Sequence, residues 1–432
     1  MQNIKYKFYI LVIIVIFLYL SCSNQPQFPT IFYAQGEMSG EVTQTSAILQ
    51  SRFTSSDSLI DGNVPGCHGF GRFELSTTVD SKNSNTKTDC IEAVPANDYI
   101  VKTKITGLTP GTRYYYRLIY GTEKNITFTG EIRTFKTLAD TDKAEEVSFV
   151  VVTGMNHAFF HYGRPNDPSR AYQGNDKHLG YPALEAMLGM NPYFFICTGD
   201  NVYYDHPVET RAKTVAELRK KWHEQFVQER FKRLFARVPT YWEKDDHDYR
   251  YNDSDPSDNP DPSKPDNPEV PSHELGIATF IEQVPVVDPS ETSPVTYRTH
   301  RINKLLQIWF VEGRDYRSPN SMPNGPQKTI FGDKQKTWLK QTLLESDATF
   351  KLLISPTPMV GPDDAYKIDN HVNYDGFRYE GDEFFEWLKN HGFLTKNFYL
   401  ICGDRHWQYH AVHPSGFEEF SCGALVDANS RL

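Results

Sequence analysis

Residues 191–207 read NPYFFICTGDNVYYDHP. The run from Tyr193 to Cys197 is apolar without polar alternation, which marks a strand buried on both faces of a sheet rather than one with a wet side. Gly199 then allows the chain to turn at once, and Asp200, Tyr203, Tyr204, Asp205 and His206 follow within seven positions. In α/β folds the ends of parallel strands are where ligands gather. Asp200 and Tyr203 are therefore the candidate functional pair, with Asp205 and His206 placed at the rim.

The pattern recurs twice. The stretch WEKDDHDY (242–249) ends a second strand on Asp245, Asp246, His247 and Asp248, and ICGDRHW (401–407) ends a third on Asp404, Arg405 and His406. One acid after a strand is an ordinary turn residue, and Asp246 with His247 also reads as a helix cap beside a satisfied histidine. Three strand ends carrying Asp with Tyr or His point to shared chemistry. Adjacent metal ions need hard carboxylate oxygens, often one shared, together with neutral imidazole. Such a pair binds a phosphate ester and acidifies a coordinated water. Asp200 is the candidate bridge. A Tyr203 phenolate requires a strongly Lewis-acidic ion such as ferric iron, because a free phenol titrates near pH 10.

Outward from these ends, VSFVVVTG, PTYWEKDD, LLQIWFVEGRD, FKLLISPTP and FYLICGDRHW read as strands. YPALEAMLGM, VAELRKKWHEQFVQERFKRLFARV and EFFEWLKNHG read as helices between them. The alternation predicts an α/β domain over 146–432. Residues 28–138 are instead short alternating strands with turn signals, a small β-sandwich, and LADTDKAEE (138–146) is the joint. The 250–274 stretch, rich in Asp and Pro, buries little and is expected as an exposed loop. Its acids also suit calcium, although solvated filler is the simpler reading.

The N-terminus has Lys5 and Lys7 before the apolar run FYILVIIVIFLYL (8–20), then Ser21 and Cys22. This describes an export signal over residues 1–22, and LYLSC resembles a bacterial lipobox with Tyr19 in place of the preferred Leu. The resemblance implies lipidation of Cys22 and a membrane-anchored protein outside the cytoplasm; a plain secretory signal or an uncleaved anchor are the alternatives. Cys67 and Cys90 are 23 apart and can pair in an oxidising compartment. Cys197, Cys402 and Cys422 sit on strand-like runs as buried thiols. The net charge of −10 and the absence of a Lys/Arg cluster give no nucleic-acid-binding surface.

Taken together, GDNVYYD, DDHDY, EGRDYRS (312–318), NYDGF (373–377) and GDRHW, in this order, resemble the PhoD-like alkaline phosphatase/phosphodiesterase family of the metallophosphatase superfamily. FYAQGEMSGEVTQTSAILQSR (32–52) and GLTPGTRYYYR (107–117) are similar to its N-terminal domain, which is fibronectin type III-like. The resemblance implies a two-sheet α/β sandwich after that domain, and hydrolysis of phosphate mono- or diesters by a metal-bound hydroxide at two metals. It implies Fe3+ with Ca2+ or another divalent ion, Asp200 as bridge, Tyr203 on the iron, and Asp246, Asp404 and His406 completing the ligands. His247 would act on the phosphoryl oxygen or leaving group, and Arg314 and Arg317 would recognise phosphate. The family's cysteine ligand is missing, since Gly154 in VVTGMNHAFFHYG (151–163) stands in its place. Asn156, His157 or His161 then supplies the contact, or a different metal binds; Asn156 reads equally as a backbone cap. The alternative outside enzymology is a non-catalytic surface lipoprotein binding calcium or a glycan.

Overall fold

Strands that are apolar throughout need cover on both faces, and the computed structural model supplies it. Residues 30–79, 86–257 and 270–426 are described. Cys22 and the rest of the leader lie outside the described residues, as do 258–269 of the acidic loop.

Two six-stranded sheets face each other. In one, Phe149–Val152, Phe194–Thr198 and Thr240–Glu243 pair in parallel. In the other, Leu306–Phe310, Phe350–Ser355, Phe398–Cys402 and Glu418–Cys422 run parallel, with Arg298–Arg301 and Gln408–Val412 antiparallel at the edges. Between the sheets lie Phe194, Ile196, Tyr241, Ile308, Phe310 and Ile354. The opposite faces are covered by helices. Phe195, Cys197 and Trp242 pack under Val215–Phe226, Glu229–Phe235 and His273–Gln283, while Trp309, Leu353 and Leu400 pack under Gly332–Glu345 and Arg378–Asn390. Successive residues of one strand thus enter two different cores, which is why these strands carry no polar alternation.

The N-terminal strands form a β-sandwich around Leu49, Phe53, Phe73, Val101, Leu118 and Phe135. One of its layers is not a separate sheet. Glu37–Gly40 pairs in parallel with Thr240–Glu243 and antiparallel with Ser46–Arg52, which in turn pairs with Ile100–Thr106. The first sheet therefore extends across the domain boundary expected at 138–146, taking strands from both sides of it. Buried polar ties reinforce it: Arg298 and His300 hold Glu41 at 2.6 and 2.8 Å, and His223 lies 2.6 Å from Asp98. Lys102 Nζ donates to the carbonyls of Ile281 (2.7 Å), Glu282 (2.8 Å) and Val284 (2.8 Å), closing the C-terminus of the helix His273–Gln283. Replacing Lys102 with Met should cost about 1 to 3 kcal/mol, because those carbonyls lose their donors. Chemical denaturation of wild type and variant measures this, and an unchanged midpoint would refute the tie.

Three local expectations are corrected. The long helix expected over 215–238 is two, broken at Gln228, whose backbone is extended (φ −62, ψ 132) and whose amide donates back to the Gln225 carbonyl at 3.0 Å. Cys67 and Cys90 are free thiols, one buried and one exposed. The flanks of the acidic loop are not solvated filler: Arg250 is buried and donates to Pro271 O (2.6 Å) and Asp255 O (2.9 Å), so both sides of the loop are pinned to the body. Among the described residues no helix is long and apolar enough to cross a membrane.

Candidate metal centre

The three strand ends meet. Gly199 turns with φ 79, and a Cβ there would stand 2.5 Å from Asp245 Cβ, so only glycine lets these two strand ends approach. Asp200 and Asp404 both adopt the left-handed region at φ 55, each directly after its Gly. That backbone is uncommon for a residue with a side chain and is typical of functional turns. It sends both carboxylates back into the interior.

Asp200 is 1% exposed, and its Oδ2 accepts from the Tyr203 hydroxyl at 3.1 Å. That hydroxyl lies 3.0 Å from His406 Nε2, which is itself 3.4 Å from Asp200 Oδ2. Asp200 Oδ1 is buried with no partner, and so is Asp245 Oδ2. Ligand atoms of Asp200, Asp246 and His247 lie within 4.8 Å of one another, as do those of Asp245, Asp246 and Asp404, and those of Asp246, Asp253 and Asp369. Burial and neighbouring acids push Asp245 and Asp404 up from the ordinary carboxylate range. Asp246 is held low, because His247, Arg314 and Lys367 outweigh its burial. Unpartnered buried oxygens among crowded acids and imidazoles are a donor set that fits cations.

His247 sits beside Tyr203, ring centroids 4.4 Å apart, and its Nδ1 donates to Asp205 Oδ1 at 2.8 Å. Burial alone would lower its pKa, but Asp205, Asp246 and Asp200 together hold it well above the ordinary histidine value. Asp205 is thus not a rim residue: its side chain is 12% exposed and stands behind His247, whereas His206 at 39% is at the rim. A cleft of about 370 Å³ lined by Asp205, His206, Arg211 and Tyr251 opens alongside. Asp205→Asn should lower turnover about 10- to 100-fold, because the carboxylate that orients the His247 ring and favours its charged form is lost. Steady-state kinetics on the purified variant checks this, and wild-type turnover would show that Asp205 orients nothing.

The two expected phosphate arginines differ from that expectation in their surroundings. Arg314 has no exposed surface; it donates to Asp245 Oδ1 at 2.7 Å and to the Ser254 carbonyl at 3.1 Å, and lies 3.4 Å from Asp369. Arg317 donates to Gly313 O (2.7 Å) and Asn320 Oδ1 (3.2 Å), while its Nη2 is buried without a partner. Asn156 is a cap: its Oδ1 accepts from Phe159 N at 3.0 Å, which leaves its Nδ2 buried without a partner. His157 is 3.9 Å from Glu224, and His161 is 3.4 Å from Gln228. At Gly154 (φ 65) a Cβ would stand 2.6 Å from Ala424 Cβ and 3.3 Å from His406 Nε2. The position does face the centre, and Ala424 fills the space a thiol would take. Asp248 is scaffold, accepting from the backbone N–H groups of Asp245 (2.7 Å) and Asn201 (3.0 Å). Sequence reasoning named Asp245 only as a strand-end acid, with no role at the centre, and passed over Asp253, Asp369 and Lys367, for which no local signal stands out.

A solved structure of PhoD superposes with TM-score 0.71 at 18% identity, covering 94% of this chain and 79% of that one. A purple acid phosphatase from yellow lupin (Lupinus luteus) seeds gives TM-score 0.56 at 10% identity over 92% of this chain and 65% of that one. These likenesses establish the fold. No curated protein sequence matches. The family described as PhoD-like phosphatase matches residues 149–430, and its N-terminal domain matches 22–136. With those two matches lying in order along most of its length, this chain belongs to the PhoD-like phosphatase family.

Proposed function

We propose that the chain is a phosphoesterase that hydrolyses phosphate mono- or diesters at a centre of two metal ions, working outside the cytoplasm on a lipid anchor at Cys22. The observation that carries the reading is Asp200. Its Oδ1 is buried and unpartnered, between the Tyr203–His406 side and the Asp246–His247 side. Tyr203, His406 and Asp200 would hold one ion, and Asp246, Asp404 and Asp245 the other, with Asp200 shared. When bound, such ions supply Lewis acidity toward phosphoryl oxygens and an acidified water.

The chain's own residues would do the rest. His247 would give a proton to the departing alkoxide. Asp205 would hold its Nδ1, and the unmet Arg317 Nη2 offers a donor to the ester. Burial and Asp200 hold the Tyr203 phenol well above its ordinary value, so a phenolate there needs a strongly acidic ion, with Fe3+ favoured over a divalent one. With glycine at 154 no thiolate contributes, and the donors are oxygen and nitrogen only.

Metal analysis and a visible spectrum of the purified protein, with turnover of p-nitrophenyl phosphate and bis(p-nitrophenyl) phosphate, test the proposal. A broad charge-transfer band is expected for Tyr203 on ferric iron and should vanish in Tyr203→Phe. A folded, metal-loaded protein that turns over neither ester would end the phosphoesterase reading. Labelled palmitate entering the wild type and not Cys22→Ala would support the anchor.

A further inference from the structure

The cations around the centre are not equally committed. Arg314 has its donors on Asp245, Asp369 and the Ser254 carbonyl. Lys244 is buried between Glu312 (2.5 Å) and Asp315 (2.7 Å). Arg405 is held by Asp363 and lies 4.0 Å over the Trp407 ring. Lys367 is different. It belongs to the connection between the strand Phe350–Ser355 and the helix Arg378–Asn390. Its neighbours Tyr366 and Ile368 are 77% and 37% exposed, whereas its own side chain is 12% exposed and turned inward.

The Lys367 ammonium pairs with Asp253, a residue 28% exposed on a different loop. Asp253 is one of the three acids grouped with Asp246, and its N–H donates to Asp246 Oδ2 at 2.5 Å. Lys367 therefore reaches the edge of the candidate centre. Its backbone is fixed: its N–H donates to Asp364 O at 3.0 Å, and its carbonyl accepts from Asn373 Nδ2 at 2.8 Å. The side chain beyond that anchor is a flexible four-carbon stem with three donors. Its partner is the most exposed acid of the group, the one that an incoming anion can reach. The ammonium is drawn by Asp369, Asp404, Asp253 and Asp246; a bound cation cancels the pull of those acids that hold it, and an incoming anion then competes for the ammonium.

We infer that Lys367 exchanges Asp253 for a non-bridging oxygen of the substrate phosphate and biases the site toward doubly charged monoesters over singly charged diesters. This rests on the phosphoesterase reading above. A fixed positive charge acts on two units of charge in a monoester above its second pKa, near 6, and on one in a diester. The effect is therefore larger for the monoester.

Lys367→Met and Lys367→Arg, prepared with wild-type metal content, are compared with wild type on p-nitrophenyl phosphate and bis(p-nitrophenyl) phosphate, and for inhibition by inorganic phosphate. Lys367→Met should weaken phosphate inhibition about 10- to 100-fold, the worth of one charge-assisted hydrogen bond. It should lower the monoester-to-diester ratio of kcat/KM about 10-fold, chiefly through KM, and Lys367→Arg should restore most of both. Unchanged phosphate inhibition and an unchanged ratio in an active Lys367→Met protein would overturn the inference and leave the phosphoesterase reading standing. Equal loss on both esters accompanied by loss of bound metal would also overturn it, because Lys367 would then support the acids and not the substrate. A wild type inactive on both esters would overturn the phosphoesterase reading and this inference with it.

Discussion

Asp200→Asn is expected to lower kcat/KM on phosphate esters by about 1000-fold, the scale of losing several kcal/mol of electrostatic stabilisation. The substitution keeps the size of the side chain and the capacity of Oδ1 to accept, but removes the negative charge. The φ of 55 at this position is one that Asn tolerates as well as Asp, so the turn after Gly199 should survive. Near-wild-type thermal unfolding together with the loss of activity would place the effect in the centre. Metal content should fall in parallel, because Asp200 joins the Tyr203–His406 side to the Asp246–His247 side. A variant that retains metal and turns over esters at wild-type rates would exclude Asp200 from the chemistry.

Arg314→Met is expected to destabilise the fold by about 3 to 5 kcal/mol, the cost of leaving buried charge without its partner. Arg314 compensates Asp245 at 2.6 Å, Asp369 at 3.4 Å and Asp246 at 3.9 Å, with no solvent to take over that role. The loss should depend on pH. Burial, opposed in part by Arg314, already raises Asp245 above its unfolded-state value. Without the guanidinium it rises further, so the folded variant binds more protons than the unfolded chain. Stability of the variant should then fall as pH climbs through and beyond the unfolded carboxylate range near 4. Denaturation at pH 5 and pH 8 tests this; a deficit equal at both, or larger at pH 5, would contradict the electrostatic account.

Much of the centre was legible because its determinants are local. A turn that must enter the left-handed region, as at Gly199, or that leaves no room for a Cβ against a neighbouring strand end, as at Gly403 beside the Thr198 carbonyl, selects Gly, and the residue after it tolerates φ 55 best when it is Asp. Gly199–Asp200 and Gly403–Asp404 therefore stand out in one dimension. Strands entering two cores read as continuous apolar runs, which gave Phe194–Thr198 and Phe398–Cys402. The break at Gln228 was not legible, because helix propensity is favourable through 215–238 and the interruption depends on how two helices dock. Cys67 and Cys90 are close enough in sequence to suggest pairing, yet the fold leaves one thiol in the core and the other outside.

By itself the sequence marked the layered α/β class, the β-sandwich before it, and the strand-end residues Asp200, Tyr203, Asp246, His247, Asp404 and His406, each visible within one short segment, while their roles at a metal centre are what the family resemblance implies. The tertiary structure decided who supports that set: Asp205 behind His247, Arg314 locked to Asp245, Ala424 filling the space beside Gly154, and Lys367 reaching Asp253. These pairings join residues 42, 69, 270 and 114 positions apart (247 − 205, 314 − 245, 424 − 154, 367 − 253). Nothing local selects among the many acids and bases that could meet at such separations. Only the packing of two sheets and their loops chooses the partners, and with them the charge that each buried group carries.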